Sequence, residues 1–325
     1  MTGVTSRSSV GPSAAPLAPG REPAPGYEVI AHLSRGRRLD VYDAWSHERS
    51  SRCILKLLRP ERSREAIARE KLLREGRLLQ RFAHPHIVRA YETIIAPDPI
   101  VVMETLGGET LGHLIERQAP LAPEEIGQLG LQLASAISFM HHHGYLHLDL
   151  KPDNVVAEAE RAKVIDLSLA RPPGRAPAGI GTWCYLAPEQ ARGGELGPAA
   201  DVWGIGAVLF EAASAMPAFD DPEDESGSWS TGDTGSSERP HSIPSWDTGD
   251  EDDLLRGDYP QLERTAPPLS SVSAQPTALC GLIDACLAPD PAARPTVTVL
   301  MARLEPIAGV PRAERRHAQR SCARP

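Results

Sequence analysis

The strongest constraint on the fold of this chain comes from two short segments, His147–Asn154 and Val164–Asp166. In both segments polar side chains directly follow apolar residues, a pattern that is typical of chain leaving a buried strand. The segments supply two carboxylates, an ammonium group and a carboxamide, from Asp149, Lys151, Asn154 and Asp166. Such a set suits phosphoryl transfer, which needs a carboxylate for the attacking hydroxyl, a cation near the phosphate and oxygen ligands for Mg²⁺. The alternative is a polar loop of chance composition, against which the fixed spacing argues.

These segments resemble the catalytic loop and the metal-binding aspartate of the eukaryotic-type (Hanks-type) serine/threonine protein kinases of bacterial kind. Upstream, Cys53–Lys56 resembles the third strand of that family with its phosphate-pairing lysine. Arg74–Glu75 and His84–Val88 resemble the C-helix and its exit. The resemblance implies an ion pair between Lys56 and Glu75 that holds the lysine on the nucleotide phosphates.

Further family motifs follow in the same order along the chain. Val101–Glu104 resembles the hinge strand, which implies that Met103 is the gatekeeper and that the backbone of Glu104 and Leu106 faces adenine. Gly181–Glu189 resembles the segment that closes the activation loop. The resemblance therefore extends from the hinge into the part of the kinase that docks peptides.

Two motifs in the last third of the chain complete the resemblance. Asp201–Gly206 resembles the start of the central buried helix, and Arg294 resembles the partner of Glu189. The resemblance covers residues 27–305 and implies an α/β (α+β) fold of the bilobal protein kinase type, with a small β-rich N-lobe and a larger helical C-lobe. We expect these divisions of the chain: a disordered tail at 1–25, a kinase domain at 26–305 with an N-lobe at 26–106, a C-lobe at 107–305 and an acidic insertion at 220–253, and an Arg-rich tail at 306–325.

The resemblance implies an active serine/threonine protein kinase that uses ATP with Mg²⁺ or Mn²⁺ and acts on a protein substrate. Asp149 would accept the hydroxyl proton, Lys151 would neutralise the γ-phosphate, and Asn154 and Asp166 would hold the metal. Lys151 also places the chain in the Ser/Thr rather than the tyrosine branch, together with Thr182. The implied nucleotide-binding residues are Leu33, Gly36, Val41, Lys56, Glu75, Met103, Glu104, Leu106 and Val156. The implied structural and substrate-loop residues are Thr182, Glu189 and Arg294.

Three departures from the family pattern leave alternatives open. Of the three glycines in the nucleotide loop, the segment Ser34–Leu39 keeps only Gly36, and its arginines either face water or add charge to the phosphates. Ile54 replaces a small alanine, and Leu167–Ser168 replaces the usual Phe-Gly. A pseudokinase that serves as a nucleotide-sensing scaffold, with weak or no transfer, is therefore an alternative. A small-molecule kinase is a third possibility, which the peptide-docking motifs disfavour.

The residue that precedes Asp149 is Leu148, where many kinases have an arginine that binds a phosphorylated activation loop. Residues 170–181 contain no hydroxyl group, and the loop holds several prolines that restrict its backbone. The sequence therefore predicts that the enzyme needs no phosphorylation of this loop. Thr182 is expected to contact the catalytic residues instead of acting as a switch.

Composition agrees with this interpretation. Only four of the 34 basic residues are lysine, and two of the four are Lys56 and Lys151, where a compact ammonium on phosphate is wanted. The net charge of −9 and the pI near 5.7 do not favour a nucleic-acid partner. No apolar run is long enough to span a membrane, and the N-terminus lacks a secretion signal, so we expect a cytoplasmic protein with reduced cysteines.

Two charged regions lie outside the kinase motifs. Residues 220–253 carry twelve acidic residues against one arginine, which predicts a solvated flexible loop or a site for a basic partner. The tail at 306–325 is rich in arginine and is either uncommitted or a site for an anionic partner.

Overall fold

A computed structural model of the chain describes residues 14–158, 160–219 and 259–309. The described residues form two compact units. The first, which we call the sheet unit, contains residues 14–81 and 89–105. The second, the helical unit, contains residues 82–88 and the described residues from 106 onward. An α+β composition with a β-rich N-terminal part and a helical C-terminal part is thereby confirmed.

The sheet unit is one antiparallel five-stranded sheet with a single long helix, in the strand order β1-β2-β3-β5-β4. Its elements are β1 (Tyr27–Arg35), β2 (Leu39–Ser46), β3 (Ser51–Leu58), α1 (Ala66–Arg81), β4 (Ala90–Ile94) and β5 (Ile100–Glu104). Apolar side chains such as Val29, Leu55 and Val102 fill the core of the sheet. Gly76 lets α1 approach closely, because a Cβ there would lie 2.9 Å from Val101 Cγ2.

Residues 14–25, which we expected to belong to a disordered tail, pack on the sheet unit. The N–H of Leu17 donates to the Tyr42 hydroxyl over 2.9 Å, and the Leu17 side chain packs against the apolar core. Gly20 and Arg21 form backbone hydrogen bonds with Val29 of β1. The expectation is corrected for this stretch because one leucine and a few backbone bonds suffice to order it; residues 1–13 lie outside the described residues.

The helical unit is organised around α5, whose residues are almost all apolar and buried. Its elements are β6 (Glu109–Thr110), α2 (Leu111–Gln118), α3 (Pro123–His142), β7 (Val155–Glu158), β8 (Arg161–Val164), β9 (Gly174–Ala176), α4 (Pro188–Arg192), β10 (Gly194–Leu196), α5 (Pro198–Ser214), α6 (Pro260–Glu263), α7 (Thr277–Cys286) and α8 (Val297–Leu304). Gly130 of α3 lies against Leu209 of α5 and Leu304 of α8, so the three helices meet at a position without a side chain.

The boundaries of the units differ in detail from the expected lobes. Residues 82–88 belong to the helical unit because His86 and Val88 form backbone hydrogen bonds with Val164 of β8. Ala308 is buried beside Gly127, so the packed chain continues past residue 305. The acidic insertion at 220–253 and the tail from residue 310 onward lie outside the described residues. None of the helices in the described part is both long and apolar enough to span a membrane.

Four cysteines lie in the described part of the chain, and all are free thiols. Burial raises the pKa of Cys53 to about 11 and that of Cys286 to about 12. Thiols with such raised pKa values are poor nucleophiles at neutral pH.

Candidate active site

A β-hairpin brings the two predicted metal ligands of the helical unit to the same end of a strand pair. Asn154 ends a short 3₁₀ turn directly before β7, and Val155 pairs with Val164 at the end of β8. The Ile165 N–H donates to the Asn154 carbonyl over 3.0 Å. Because antiparallel pairing places Asn154 opposite Ile165, Asn154 and Asp166 leave the hairpin as neighbours.

Asp149 is the residue around which the predicted catalytic groups assemble. The Thr182 hydroxyl donates to Asp149 Oδ1 over 2.6 Å, and Asn154 Nδ2 donates to Asp149 Oδ2 over 3.0 Å. A second bond from Asn154 Nδ2 reaches the Asp149 carbonyl over 2.9 Å. Asp149 and Lys151 are both buried, at 5% and 2% exposure. The carboxylate is therefore fixed on both oxygens, and the contact that we expected for Thr182 is present.

The loop that carries Asp149 is anchored by an aspartate at the start of α5. Asp201 accepts the backbone N–H groups of His147 and Leu148 over 2.9 and 2.8 Å, and its Oδ2 lies 2.8 Å from His141 Nε2. The His147 ring in turn accepts the Asp149 N–H through Nδ1 over 3.2 Å. Asp201 was expected at the start of a buried helix, but its anchoring role was not predicted from the sequence.

The donor groups of Asn154 and Asp166 fit a small hard cation. Asp166 Oδ1 accepts the Ser168 N–H over 2.7 Å, which fixes the carboxylate. Because Asn154 Nδ2 is bound to Asp149, the oxygen of its carboxamide is the atom that suits a cation. Within the described residues no group of three or more His, Cys, Asp or Glu forms a metal site. The two oxygens match Mg²⁺, which takes one or two protein ligands and completes its shell with water and phosphate oxygens.

The sheet unit holds the predicted phosphate-pairing lysine in a buried ion pair. Lys56 Nζ lies 2.8 and 2.9 Å from the two oxygens of Glu75, and both side chains are at most 1% exposed. β3 places Lys56 next to Val41 of β2 and Val101 of β5. The predicted pair is thus formed in the structure, by the close approach of α1 to the sheet.

The nucleotide loop between β1 and β2 is held by ion pairs in place of glycine flexibility. The Arg35 guanidinium donates two hydrogen bonds, of 2.7 and 2.8 Å, to the buried carboxylate of Asp40. His32 Nε2 lies 3.2 Å from the same carboxylate. Burial acts to raise the pKa of Asp40, but the bonds from Arg35 and His32 outweigh it and lower the pKa below its ordinary value. Arg35 therefore does not face water as an unattached loop residue would.

A second arginine holds the tip of this loop. Arg59 Nη1 lies 3.2 Å from the carbonyl oxygens of both Gly36 and Arg37, and the Gly36 N–H donates to the Leu39 carbonyl over 2.8 Å. The tip is thus a closed turn, and Arg59, which directly follows β3, holds it in place. This role of Arg59 could not be predicted, because nothing in the local sequence distinguishes Arg59 from a surface arginine.

The other predicted nucleotide-binding residues fall in both units. In the sheet unit Leu33 is 50% exposed, whereas Met103 is buried opposite Ile54. The Glu104 N–H donates to the Arg89 carbonyl over 3.0 Å, and its side chain accepts the Arg89 N–H. The predicted residues of the helical unit are Leu106, which follows the first unit directly, and Val156, which is buried in β7.

The predicted contact between Glu189 and Arg294 is present as a bidentate ion pair. Arg294 Nη1 and Nη2 lie 2.6 and 2.8 Å from the two oxygens of Glu189. The Arg294 guanidinium also lies 5.0 Å from the centre of the Trp203 ring, within α5. The end of the activation loop is therefore tied to the core of the helical unit.

A buried acid lies beside the same loop. The Tyr185 hydroxyl donates to Glu211 Oε2 over 2.8 Å. Burial, with a smaller contribution from the charges of Asp153 and Glu116, raises the pKa of Glu211 to about 7, although the hydrogen bond from Tyr185 acts to lower it. Glu211 is thus an acid whose charge changes near neutral pH, a property that no local sequence pattern predicts.

Comparison with known proteins identifies relatives for most of this architecture. Residues 27–304 match the family described as protein kinase domain. The serine/threonine-protein kinase PknB of Mycobacterium leprae is 33% identical over 205 residues, which cover 59% of this chain and 33% of that protein. PknB of Mycobacterium tuberculosis is 32% identical over 206 residues, covering 59% and 33%, and its serine/threonine-protein kinase PknD is 31% identical over 200 residues, covering 59% and 30%. The match thus spans about a third of the length of these curated relatives.

Proposed function

This chain belongs to the protein kinase family, and we propose that it transfers the γ-phosphoryl group of ATP to serine or threonine hydroxyls of proteins. The observation that carries the proposal is the assembly around Asp149, whose carboxylate is held by Thr182 and Asn154, with the buried Lys151 two residues further along the same loop. The similarity to proteins named serine/threonine-protein kinases supports serine and threonine as the residues that accept the phosphate. The match covers only part of those relatives, so it supports the activity of the shared domain.

In the helical unit we propose the following roles. Asp149 orients the substrate hydroxyl and accepts its proton, because a fixed carboxylate saves the cost of positioning at the transition state. Lys151 places an ammonium charge where negative charge moves during transfer. Asn154 and Asp166 hold Mg²⁺ or Mn²⁺, which would neutralise the phosphate oxygens when bound.

In the sheet unit we propose that Lys56 binds the α- and β-phosphates and that Glu75 keeps its ammonium group in place. An isolated buried ammonium would lose its proton readily, and the two short bonds to Glu75 favour the charged form. Gly36, Leu33 and Val41 would cover the nucleotide. Since the Glu104 N–H is already bound to Arg89, an adenine contact from Glu104 would use its carbonyl. Met103, Leu106 and Val156 would complete the adenine contacts.

The pseudokinase alternative rested on the degraded glycine loop. Arg35, Asp40 and Arg59 order that loop by ion pairs and hydrogen bonds, so the loss of two glycines does not by itself imply a disordered nucleotide cover. Glu189 and Arg294 support a protein substrate over a small molecule, because they build the end of the segment that docks peptides. We therefore favour an active protein kinase over both alternatives.

The test is phosphate transfer from labelled ATP to a generic basic protein, with and without Mg²⁺. Asp149→Asn and Lys56→Met should each lower kcat by about 10³-fold or more, because they remove charge at the transfer site while the fold is kept. Lys71→Met, on α1 of the same unit, is the control for loss of a lysine and should keep wild-type turnover. Wild-type turnover by Asp149→Asn would refute the assignment, and no turnover with no ATP-induced rise in melting temperature would favour the scaffold alternative.

Three further proposals concern the extent of the domain, the location of the protein and its partners. We propose a kinase domain that extends from about residue 14 to residue 309 and is interrupted by the acidic insertion. A cytoplasmic location and the recruitment of partners by the insertion or by the Arg-rich tail stay predictions. Fractionation of cells, and pull-down with variants that lack residues 220–253 or 310–325, would test them.

A further inference from the structure

The activation segment, by which we mean residues 166–189, is ordered by unmodified groups. Leu146 and Arg171 exchange two backbone hydrogen bonds of 2.7 and 3.1 Å. β9 pairs with β10, and the Gly179 N–H donates to the Gln190 carbonyl over 2.8 Å. These contacts hold the segment within the helical unit and require no covalent modification.

Gln190 in α4 connects the activation segment to the catalytic loop through its side chain. Its Nε2 donates to the carbonyls of Leu148 and Ile180 over 2.9 and 2.7 Å, and its Oε1 accepts the Ala187 N–H over 3.0 Å. The side chain is 2% exposed. A carboxamide offers two donors and an acceptor, whereas a carboxylate offers no donor. This bridge therefore requires the amide of glutamine.

The peptide that Gln190 holds lies directly before Asp149. Leu148 is buried and has φ of 67°, a left-handed conformation that costs a leucine roughly 1–2 kcal/mol. Its N–H donates to Asp201 Oδ1, and its carbonyl accepts from Gln190. Both polar groups of this strained residue are thus held, and the direction in which Asp149 leaves the loop is set by them.

Gly181 provides independent support for a bridge at this place. Its φ is 131°, and a Cβ there would lie 3.0 Å from both Gln190 Nε2 and the Leu148 carbonyl oxygen. A side chain at this position would displace the carboxamide or the carbonyl that it binds. The next residue, Thr182, bonds to Asp149. The bridge from Gln190 therefore lies beside the contact that fixes the catalytic carboxylate.

We propose that Gln190 is a positioning residue that holds the activation segment on the catalytic loop and so replaces the ordering role of an activation-loop phosphate. The proposal rests on the proposed kinase function for its rate prediction. A phosphate would order such a segment by charge-assisted bonds to an arginine beside the catalytic aspartate. Here leucine occupies that position, and two neutral hydrogen bonds from Gln190 cross between the same two segments.

The first readout is proteolysis, which needs no turnover. Trypsin can cleave after the exposed Arg175 in β9, whereas Pro172 blocks cleavage after Arg171. Gln190→Met keeps the side-chain volume and removes both hydrogen-bond donors. Cleavage after Arg175 should therefore accelerate about tenfold, which corresponds to a loss of about 1.4 kcal/mol in the free energy that keeps the segment closed. The measurement is made in the Asp149→Asn background, where autophosphorylation is removed.

The second readout is the rate of transfer. Gln190→Met should lower kcat about tenfold and change KM for ATP less than twofold, because the bridge positions Asp149 and does not touch nucleotide. Gln190→Glu should be equally slow at pH 8, where its carboxylate repels both carbonyls. Protonation restores one O–H donor, so its kcat relative to wild type should recover as the pH falls from 8 to 6. Phosphatase treatment should leave the wild-type rate unchanged.

Gln132→Met is the matched control, since Gln132 in α3 also joins two backbone groups, the Glu160 carbonyl and the Ala162 N–H. It should change neither Arg175 cleavage nor kcat. The proposal is overturned if trypsin cleaves Gln190→Met after Arg175 at the wild-type rate. It is also overturned if the kcat of Gln190→Glu relative to wild type does not recover as the pH falls from 8 to 6. If the wild type transfers no phosphate, the kinase function fails, and faster cleavage of Gln190→Met still supports the bridge.

Discussion

Arg294 allows a quantitative test of how the activation segment is tied to the helical core. Its side chain is completely buried and forms two bonds with Glu189, at 2.6 and 2.8 Å. It also donates to the carbonyls of Ala288, Ala199 and Pro289 over 2.8, 2.9 and 3.2 Å. One guanidinium therefore satisfies five acceptor positions, and no shorter or neutral side chain can replace it.

The expected cost of Arg294→Met follows from what the change leaves behind. Removing one partner of a buried ion pair costs about 3–5 kcal/mol, because the other charge, here on Glu189 with a side chain only 14% exposed, is left largely shielded from water. The three carbonyls lose a charge-assisted donor and regain water only in part, which adds about 1 kcal/mol. We expect a total loss of about 4–6 kcal/mol in the free energy of unfolding. Neutralising Glu189 as well, in Arg294→Met with Glu189→Gln, should restore about 2 kcal/mol of this loss by removing the stranded charge.

Equilibrium unfolding in urea is the assay, followed by tryptophan fluorescence and by hydrogen exchange of α5 amides. Trp203 lies 5.0 Å from the guanidinium and reports on the same site. Arg294→Lys keeps the positive charge but loses the planar guanidinium that binds both oxygens of Glu189. Its free energy of unfolding should fall by about 2 kcal/mol, so it can be measured if the methionine variant is unfolded. Arg303→Met, an exposed arginine of α8, is the control and should change stability by less than about 0.5 kcal/mol. A loss below about 1 kcal/mol for Arg294→Met, or a double variant no more stable than the single one, would refute the reasoning.

Two further predictions concern charge in each unit. The pKa of Glu211 is about 7 in the folded state and 4.5 ordinarily, so between these values the folded protein keeps a proton that the unfolded chain has released. Stability should therefore fall as the pH rises through this window, by about 2 kcal/mol more in the wild type than in Glu211→Gln in urea unfolding at pH 5 and pH 8; equal slopes would contradict it. In the nucleotide loop, Arg35→Gln should raise KM for ATP about fivefold at unchanged kcat. Without the ion pair the loop would be ordered only when ATP binds, so part of the binding free energy of ATP would be used to order it. Arg52→Gln, which breaks a similar two-pronged pair with Asp43 between β3 and β2, is its control, and an equal rise in KM for that variant would show that the loop is not the cause.

The sequence predicted those features that depend on residue type at fixed spacing. The contact of Thr182 with Asp149 was expected from the resemblance to the protein kinases and is present, whereas the bond from Asn154 to Asp149 was not predicted. The pair of Lys56 and Glu75 was likewise expected from the resemblance to the protein kinases, and it forms between β3 and α1. In these cases local sequence and the required chemistry agree on one arrangement.

Features that depend on tertiary contact between distant residues could not be predicted in this way. Leu17 binds Tyr42, so a segment that looks disordered by composition becomes part of the sheet unit. The pKa of Glu211 depends on burial and on Asp153 and Glu116, which no local pattern reports. Arg59 acts on a loop more than twenty residues away from it in sequence. Each of these is decided by what surrounds the side chain after folding.

The two clearest departures from the family pattern have the same physical character. Where glycines would leave the nucleotide loop flexible, Arg35 and Asp40 fix it with a buried ion pair. Where an arginine would wait for a phosphate, Leu148 is held by Gln190 and Asp201. In both places an element that can move or be modified is replaced by bonds that are always present. Residues 170–181 contain no hydroxyl group that could be phosphorylated. We therefore predict that regulation acts through the tails, the acidic insertion or a partner.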